Sequence, residues 1–124
     1  MASSKARLAS SLLALARHCE QLAWQPDFRF LYHRQRHLLH IGWRVADQAL
    51  DASFYDLLAS ESRTTSLLAI AKGDIPVRHW AALGRPFFAS GRRAVLRSWS
   101  GSMFEYLMPM LVMAQPRDSA LFEA

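Results

Sequence analysis

Asp51–Gly73, DASFYDLLASESRTTSLLAIAKG, carries its apolar residues at helical spacing. One helix from a cap at Asp51 or Ser53 to Lys72-Gly73 puts Phe54, Leu57, Leu58, Glu61, Thr65 and Leu68 on a single face. Lys72 in the last turn and Gly73 after it are favourable stop signals. Glu61 stands where that stripe calls for an apolar side chain. Burying its charge is costly unless it is paired or its pKa shifts. Periodicity leaves two readings of Glu61 open. One is an ion pair with an arginine of a neighbouring element. The other is a working carboxylate of the kind glycoside chemistry uses.

Outward from this helix the chain divides into short units. Ser4–Ala23 reads as a first helix, stopped by Pro26, with Leu8, Leu12, Leu15, Cys19 and Leu22 on one stripe. Phe28, Phe30 and Tyr32 alternate with Arg29, Leu31 and His33, which predicts a strand. A turn at 34–37 and a second strand at Leu38–Trp43 complete a β-hairpin. Asp74-Ile75-Pro76 opens a short helix through Leu83, closed by Gly84. Residues 85–101 read as irregular or strand-like. Ser102–Met113 reads as a last apolar helix that Pro109 kinks.

The 124 residues allow one small domain, and 52% hydrophobic with 20% charged residues is a globular composition. The net charge of +5 is spread over scattered arginines, without the clustered run that nucleic-acid binding would favour. No nucleic-acid partner is therefore expected. Cys19, the single cysteine, has no internal partner and reads as a small buried hydrophobe. Lys5 and Arg7 before a short apolar stretch imitate a targeting signal, but the stripe continues to Leu22, as in an amphipathic helix. Met103–Ala114 is shorter than the roughly 20 residues a bilayer span needs. The tryptophans and the two greasy helices carry more apolar area than so small a chain covers easily. Self-association or membership of a larger domain follows.

Other polar residues invite chemical readings. Glu105 is a lone carboxylate near the start of the last helix, where the helix dipole favours its ionised form. Asp51, Tyr55 and Asp56 crowd the start of the main helix. Asp51 is most simply a cap, while Tyr55 and Asp56 could hydrogen-bond a sugar or lie on the surface. Trp99, between Ser98 and Ser100, is either a core residue or a stacking platform for a sugar ring. His33, His37 and His40 match no standard metal-ligand spacing, so no metal site is expected. There is no nucleotide-binding loop and no nucleophile elbow, and no cofactor is expected.

Five stretches are similar to a known family. They are DFRFLY (27–32), LLHIG (38–42), LDASFYDLLASESR (50–63), IAKGDIP (70–76) followed by His79-Trp80, and SWSGSMFEYLMP (98–109). In this order they resemble the glycoamylase-like domain of bacterial cyclic β-1,2-glucan synthases, from roughly Leu8 to Met113. The resemblance implies a mainly α fold, part of an (α/α)6 toroid with a short β-hairpin. It implies action on β-1,2-glucan by transglycosylation, within a synthase of the bacterial inner membrane. Glu61 falls on one of the family's two catalytic carboxylates. Glu105 falls in its sugar cavity, with Trp99, Tyr55, Asp56 and Asp51 as further sugar-binding candidates.

The second carboxylate belongs to a Trp-Gly-Ile-Ser-Glu-Ser motif that this chain lacks. His33 replaces an aspartate of the family, and Trp43-Arg44 replaces Tyr-Asn. Residues 114–124 lose the pattern. The expectation is a single fragment, 1–124, with a divergent tail at 114–124. Its partners would be β-1,2-glucan and the remainder of the synthase, and alone it would be inactive. The rival expectation is a non-catalytic remnant that binds glucan or a partner.

Overall fold

The computed structural model describes residues 2–123, and the side chains of these except residues 2, 3, 60 and 61. Among the described residues there are four α-helices and three two-stranded antiparallel sheets. Helix α1 spans Ala2–Trp24. Strands β1 (Tyr32–His33) and β2 (Leu38–Leu39) form the first hairpin, with Tyr32 opposite Leu39 and His33 opposite Leu38. Strands β3 (Trp43–Arg44) and β4 (Ala49–Leu50) form the second. Helix α2 is Ser60–Ala71 and α3 is Arg78–Ala82. Strands β5 (Phe87–Ser90) and β6 (Arg93–Leu96) make the third hairpin. Helix α4 (Phe104–Leu107) runs into a 3-10 turn at Met108–Leu111 that contains Pro109.

This architecture corrects the expected mainly α, partial (α/α)6 toroid. Only α1 and α2 exceed two turns, and most of the chain between them is hairpin and loop. The main helix also starts later than its apolar spacing predicts. Asp51 Oδ1 accepts the Ser53 N–H at 2.8 Å, and Asp56 Oδ1 accepts the Leu58 N–H at 2.9 Å. Such local side-chain bonds offer the backbone an alternative to helix. Phe54 bridges to His40 in antiparallel fashion, which holds the segment extended. Leu57 and Leu58 are buried as the stripe requires, but from a loop, with the Leu57 N–H donating to the Gly84 carbonyl at 2.9 Å. That approach is close. A Cβ on Gly84 would lie 3.3 Å from the Asp56 Cβ.

The stop signals behave as expected. Lys72 caps α2 and Gly73 takes φ +78°. Lys72 is the hub of this corner. Its ammonium pairs with Asp74 at 3.2 Å, donates to the Pro26 carbonyl and lies 5.0 Å from the Phe28 ring. Asp74 in turn accepts the Phe28 N–H at 3.3 Å, so the segment leaving α1 is tied to the end of α2.

Two small cores result. Leu57, Leu58, Leu83 and Leu96 form one, flanked by Trp80 and Tyr106. Leu39, Ala69 and Ile75 form the other, flanked by Phe28 and Tyr32. Helix α1 joins neither. Every residue from Ser4 to Trp24 is exposed, including the Leu8–Leu22 stripe. Cys19 is thus exposed, which corrects its reading as a buried residue.

The division predicts opposite outcomes for two leucines. Leu96→Ala empties a fully buried site and is expected to cost about 2–5 kcal/mol in urea unfolding. Leu12→Ser on exposed α1 is expected to change stability by less than about 0.5 kcal/mol in the same measurement.

Candidate functional site

The first half of α2 forms the floor of a cavity of about 550 Å³. Ser62, Thr65 and Ser66 line it from the helix, His40 and Ile41 from the loop after β2, and Tyr55 from the loop before α2. Trp99, Ser100, Phe104 and Glu105 close the opposite side. The cavity is apolar in most of its lining, with polar groups concentrated along α2 and around Glu105, a distribution typical of ligand pockets.

Glu105 is only 3% exposed. Its carboxylate accepts the Ser100 N–H at 2.8 Å and the Ser100 hydroxyl at 2.7 Å on Oε1, and the Ser98 hydroxyl on Oε2. Burial pushes its pKa up, but the Ser98 and Ser100 hydroxyls and the backbone N–H groups of Ser100 and Trp99 outweigh burial and hold it below the ordinary carboxylate value. The loop itself is closed by Ser98, whose Oγ accepts the N–H groups of Gly101 and Ser102 at 2.8 and 2.9 Å. This loop carries Trp99, whose ring meets Tyr55 edge-on at 5.7 Å between centroids. A half-exposed aromatic pair beside a fixed anion is suited to a ligand with an apolar ring face and hydroxyl donors.

His79, which also lines the cavity, forms a buried pair with Ser66. His79 Nδ1 lies 2.9 Å from the His37 carbonyl, and Nε2 lies 2.8 Å from the Ser66 Oγ. A carbonyl only accepts, so that contact assigns the proton to Nδ1 and leaves Nε2 to accept from the serine hydroxyl. Burial pushes the His79 pKa below its ordinary value, partly countered by the His37 carbonyl. His40 is oriented in a similar way, with Nδ1 at 2.6 Å from the Asp51 carbonyl and its ring 4.6 Å from that of Phe54.

Three of the six residues selected from the sequence therefore meet on one cavity: Glu105, Trp99 and Tyr55. Asp51 and Asp56 do not line it. Each accepts a backbone N–H of its own loop. Burial raises the Asp56 pKa, with the charge of Glu105 adding to the shift. Glu61 falls in the first turn of α2, one turn ahead of the cavity-lining Thr65, and its side chain lies outside those described. His33, His37 and His40 are the histidines weighed as metal ligands from the sequence. Among the described residues no group of three or more potential ligands converges.

Sequence reasoning passed over Ser62, Thr65, Ser66 and His79. Their signal is present in the α2 sequence, where serines and threonines occupy positions 62, 64, 65 and 66 of a helix expected to bury leucines. It also passed over Arg63, which is 1% exposed and donates through Nη2 to the Glu105 carbonyl at 2.8 Å.

The chain is 54% identical over 114 residues, 92% of its length, to the cyclic beta-(1,2)-glucan synthase NdvB of Rhizobium meliloti (strain 1021). It spans only 4% of the length of that protein. No protein-family profile matches the chain. Among the described residues, no helix is long and apolar enough to cross a membrane.

The His79 pair predicts a pH dependence of stability. The folded state resists protonation that the unfolded chain accepts near the ordinary value of 6.5. Stability is therefore full above that value and lost as pH falls through it toward the folded pKa. The melting temperature should fall between about pH 7.5 and about pH 5.5, and His79→Gln should flatten that fall.

Proposed function

We propose that this chain is one piece of a synthase of the cyclic β-1,2-glucan type and that the cavity over α2 holds β-1,2-glucan. The observation that carries the reading is the 54% identity to such a synthase across nearly the whole chain. The meeting of Tyr55, Trp99 and Glu105 on one cavity supports it. Trp99 offers a face for a glucose ring, and the rim of Ser100 and Glu105 takes its hydroxyls.

The chemistry of this reading is glycosyl transfer by paired carboxylates. Glu61 attacks the anomeric carbon, and a second carboxyl protonates the leaving oxygen. A hydroxyl at the other end of the glucan then gives its proton to that second carboxylate, displaces Glu61 and closes the ring. Glu105 is unsuited to the acid role, because its bonds favour the ionised form. It acts instead as a sugar-binding anion, with Tyr55 beside it. Asp51 and Asp56 hold the loop that presents Tyr55, so they act on sugar through that loop. The acid comes from elsewhere in the synthase, in a domain of glycoamylase-like chemistry at the bacterial inner membrane. The chain alone is a single fragment that binds glucan without turning it over, and residues 114–124 form its divergent tail.

A second reading, a non-catalytic remnant that binds glucan or a partner, draws on the exposed apolar face of α1. Calorimetry and product analysis with linear β-1,2-glucan separate the two. Binding should weaken about tenfold in Trp99→Ala, with no cyclic product from the chain alone. Glu61→Gln should weaken binding if Glu61 faces the bond and leave it unchanged in a remnant. Robust cyclisation abolished by Glu61→Gln would overturn the inactive-fragment part. Absence of glucan binding would overturn the glucan part.

A further inference from the structure

A second cavity, of about 420 Å³, meets α2 at Arg63. Leu58, Met103, Tyr106, Leu107 and Met110 line it, together with Arg63. Arg63 spends one donor on the Glu105 carbonyl. Its Nε and Nη1 are buried and have no hydrogen-bond partner. The described lining contains no acidic side chain. A guanidinium buried in this state is expensive, because its two idle donors have lost water and gained nothing in exchange. Desolvation lowers its pKa, with no opposing charge to raise it.

We infer that Arg63 is the docking point for a carboxylate carried by an apolar polypeptide segment, which seats on the face formed by α4 and the 3-10 turn after it. A carboxylate is the planar acceptor a guanidinium pairs with most strongly, and it spans the end-on fork of Nη1 and the second hydrogen of Nη2, with Nε on another edge of the group. The surface around the cavity argues for a polypeptide as its carrier. Apolar exposure continues beyond Met110 through Leu111 and Val112, with Leu111 84% exposed. A small carboxylate would fill the cavity and leave that surface in water, whereas a chain segment covers both. Met103 and Met110 wall the cavity, and their unbranched side chains repack readily enough to admit an acid to the buried nitrogens. A synthase of the matched kind has ample polypeptide to supply the segment, since this chain spans 4% of it.

The inference rests on the part of the preceding reading that makes the chain a piece of a longer synthase, and it is independent of glucan chemistry. The test uses the full chain and fluorescent synthetic peptides tiled across the NdvB synthase outside its matched region, with anisotropy as the readout. At least one tile with an Asp or Glu in an apolar stripe should bind. Changing that acid to its amide should weaken binding about tenfold, and Arg63→Met should do the same with no further loss in combination. Leu107→Glu, at the exposed mouth, should weaken the acidic tile as strongly while leaving the melting temperature unchanged. It decides the matter if Arg63→Met does not fold. Failure of every tile to bind would overturn the inference, as would binding that neither variant affects. Binding of decanoate but of no tile would assign the cavity to a small amphiphile and overturn it equally. Glucan titrations of the same samples show separately whether the glucan reading fails.

Discussion

A carboxylate taken out of water must collect hydrogen-bond donors or give up its charge, and Glu105 collects them from the loop that precedes its own helix. That bargain fixes Ser98 and Ser100 around it, and with them Trp99 on the cavity wall. The other end of the same residue is equally committed, because its backbone carbonyl takes the Arg63 guanidinium from α2. One residue thus fastens loop 98–102 and α4 to α2 at Arg63, one turn before Ser66 of the cavity floor. The first cavity has its shape because these two attachments hold. The network is complete on the carboxylate side and incomplete on the guanidinium side, where two donors are idle. Partly satisfied buried networks carry a high cost in a low-dielectric surrounding, so the unfinished side marks where a further acceptor belongs.

The titratable groups near the cavity are pushed in different directions. Glu105 is favoured as an anion by its donors, Asp56 is pushed toward its neutral form by burial and by that anion, and His79 is held neutral by burial. Pairs of groups driven apart in this way divide acid and base roles in enzymes. Here the division has a structural use for two of the three. Asp56 holds the Leu58 N–H, and His79 joins α3 to α2 and to the first hairpin. A neutral His79 suits that junction, because its Nε2 accepts the Ser66 hydroxyl, whereas an imidazolium would turn that hydroxyl round to accept.

What could be read from the sequence divides along the same physical lines. Strong local signals held: the Lys72-Gly73 stop, the turn at 34–37 of the first hairpin, and the interruption of the last helix near Pro109. The hairpin's strands are shorter than expected: Arg29–Leu31 is a 3-10 turn that leaves only Tyr32–His33 to pair, and Trp43 belongs to the second hairpin. The start of α2 did not, because apolar spacing over 54–58 is shared by a helix and by a loop that buries the same leucines. Two Asx bonds decided between them. The second hairpin was missed because its two-residue strands give no measurable alternation. The toroid expectation failed for a different reason. It came from motif resemblance, and motifs fix which residues are near a site without fixing how much helix surrounds it. Glu105, Trp99 and Tyr55 could be selected because each is conspicuous in its setting. Ser66 left a trace in the serine and threonine run of α2, but Arg63 and His79 left none, since an arginine or histidine in a helix is commonly solvated, and only packing reveals that these are buried.

The buried stripe of α2 is largely polar. Its inward residues are Arg63, Ser66 and Ala69, at steps of three and almost without exposure. A helix stabilised by its packing normally turns leucines inward, and α2 turns inward a cation, a hydroxyl and a methyl group. The apolar area that a small domain would spend there lies elsewhere, on α1 and on the face of α4 and its 3-10 extension, where it remains in water. A helix as short as α2 is marginal by itself, so polar attachments must hold it: Arg63 to Glu105, Ser66 to His79, and Lys72 to Asp74 just beyond its end. Such attachments position a helix more strictly than apolar contact does, because they depend on direction as well as distance. Strict placement is what a cavity floor requires, and exposed apolar faces of this extent are what a contact surface requires. The chain has divided its residues between those two demands at the expense of its own core.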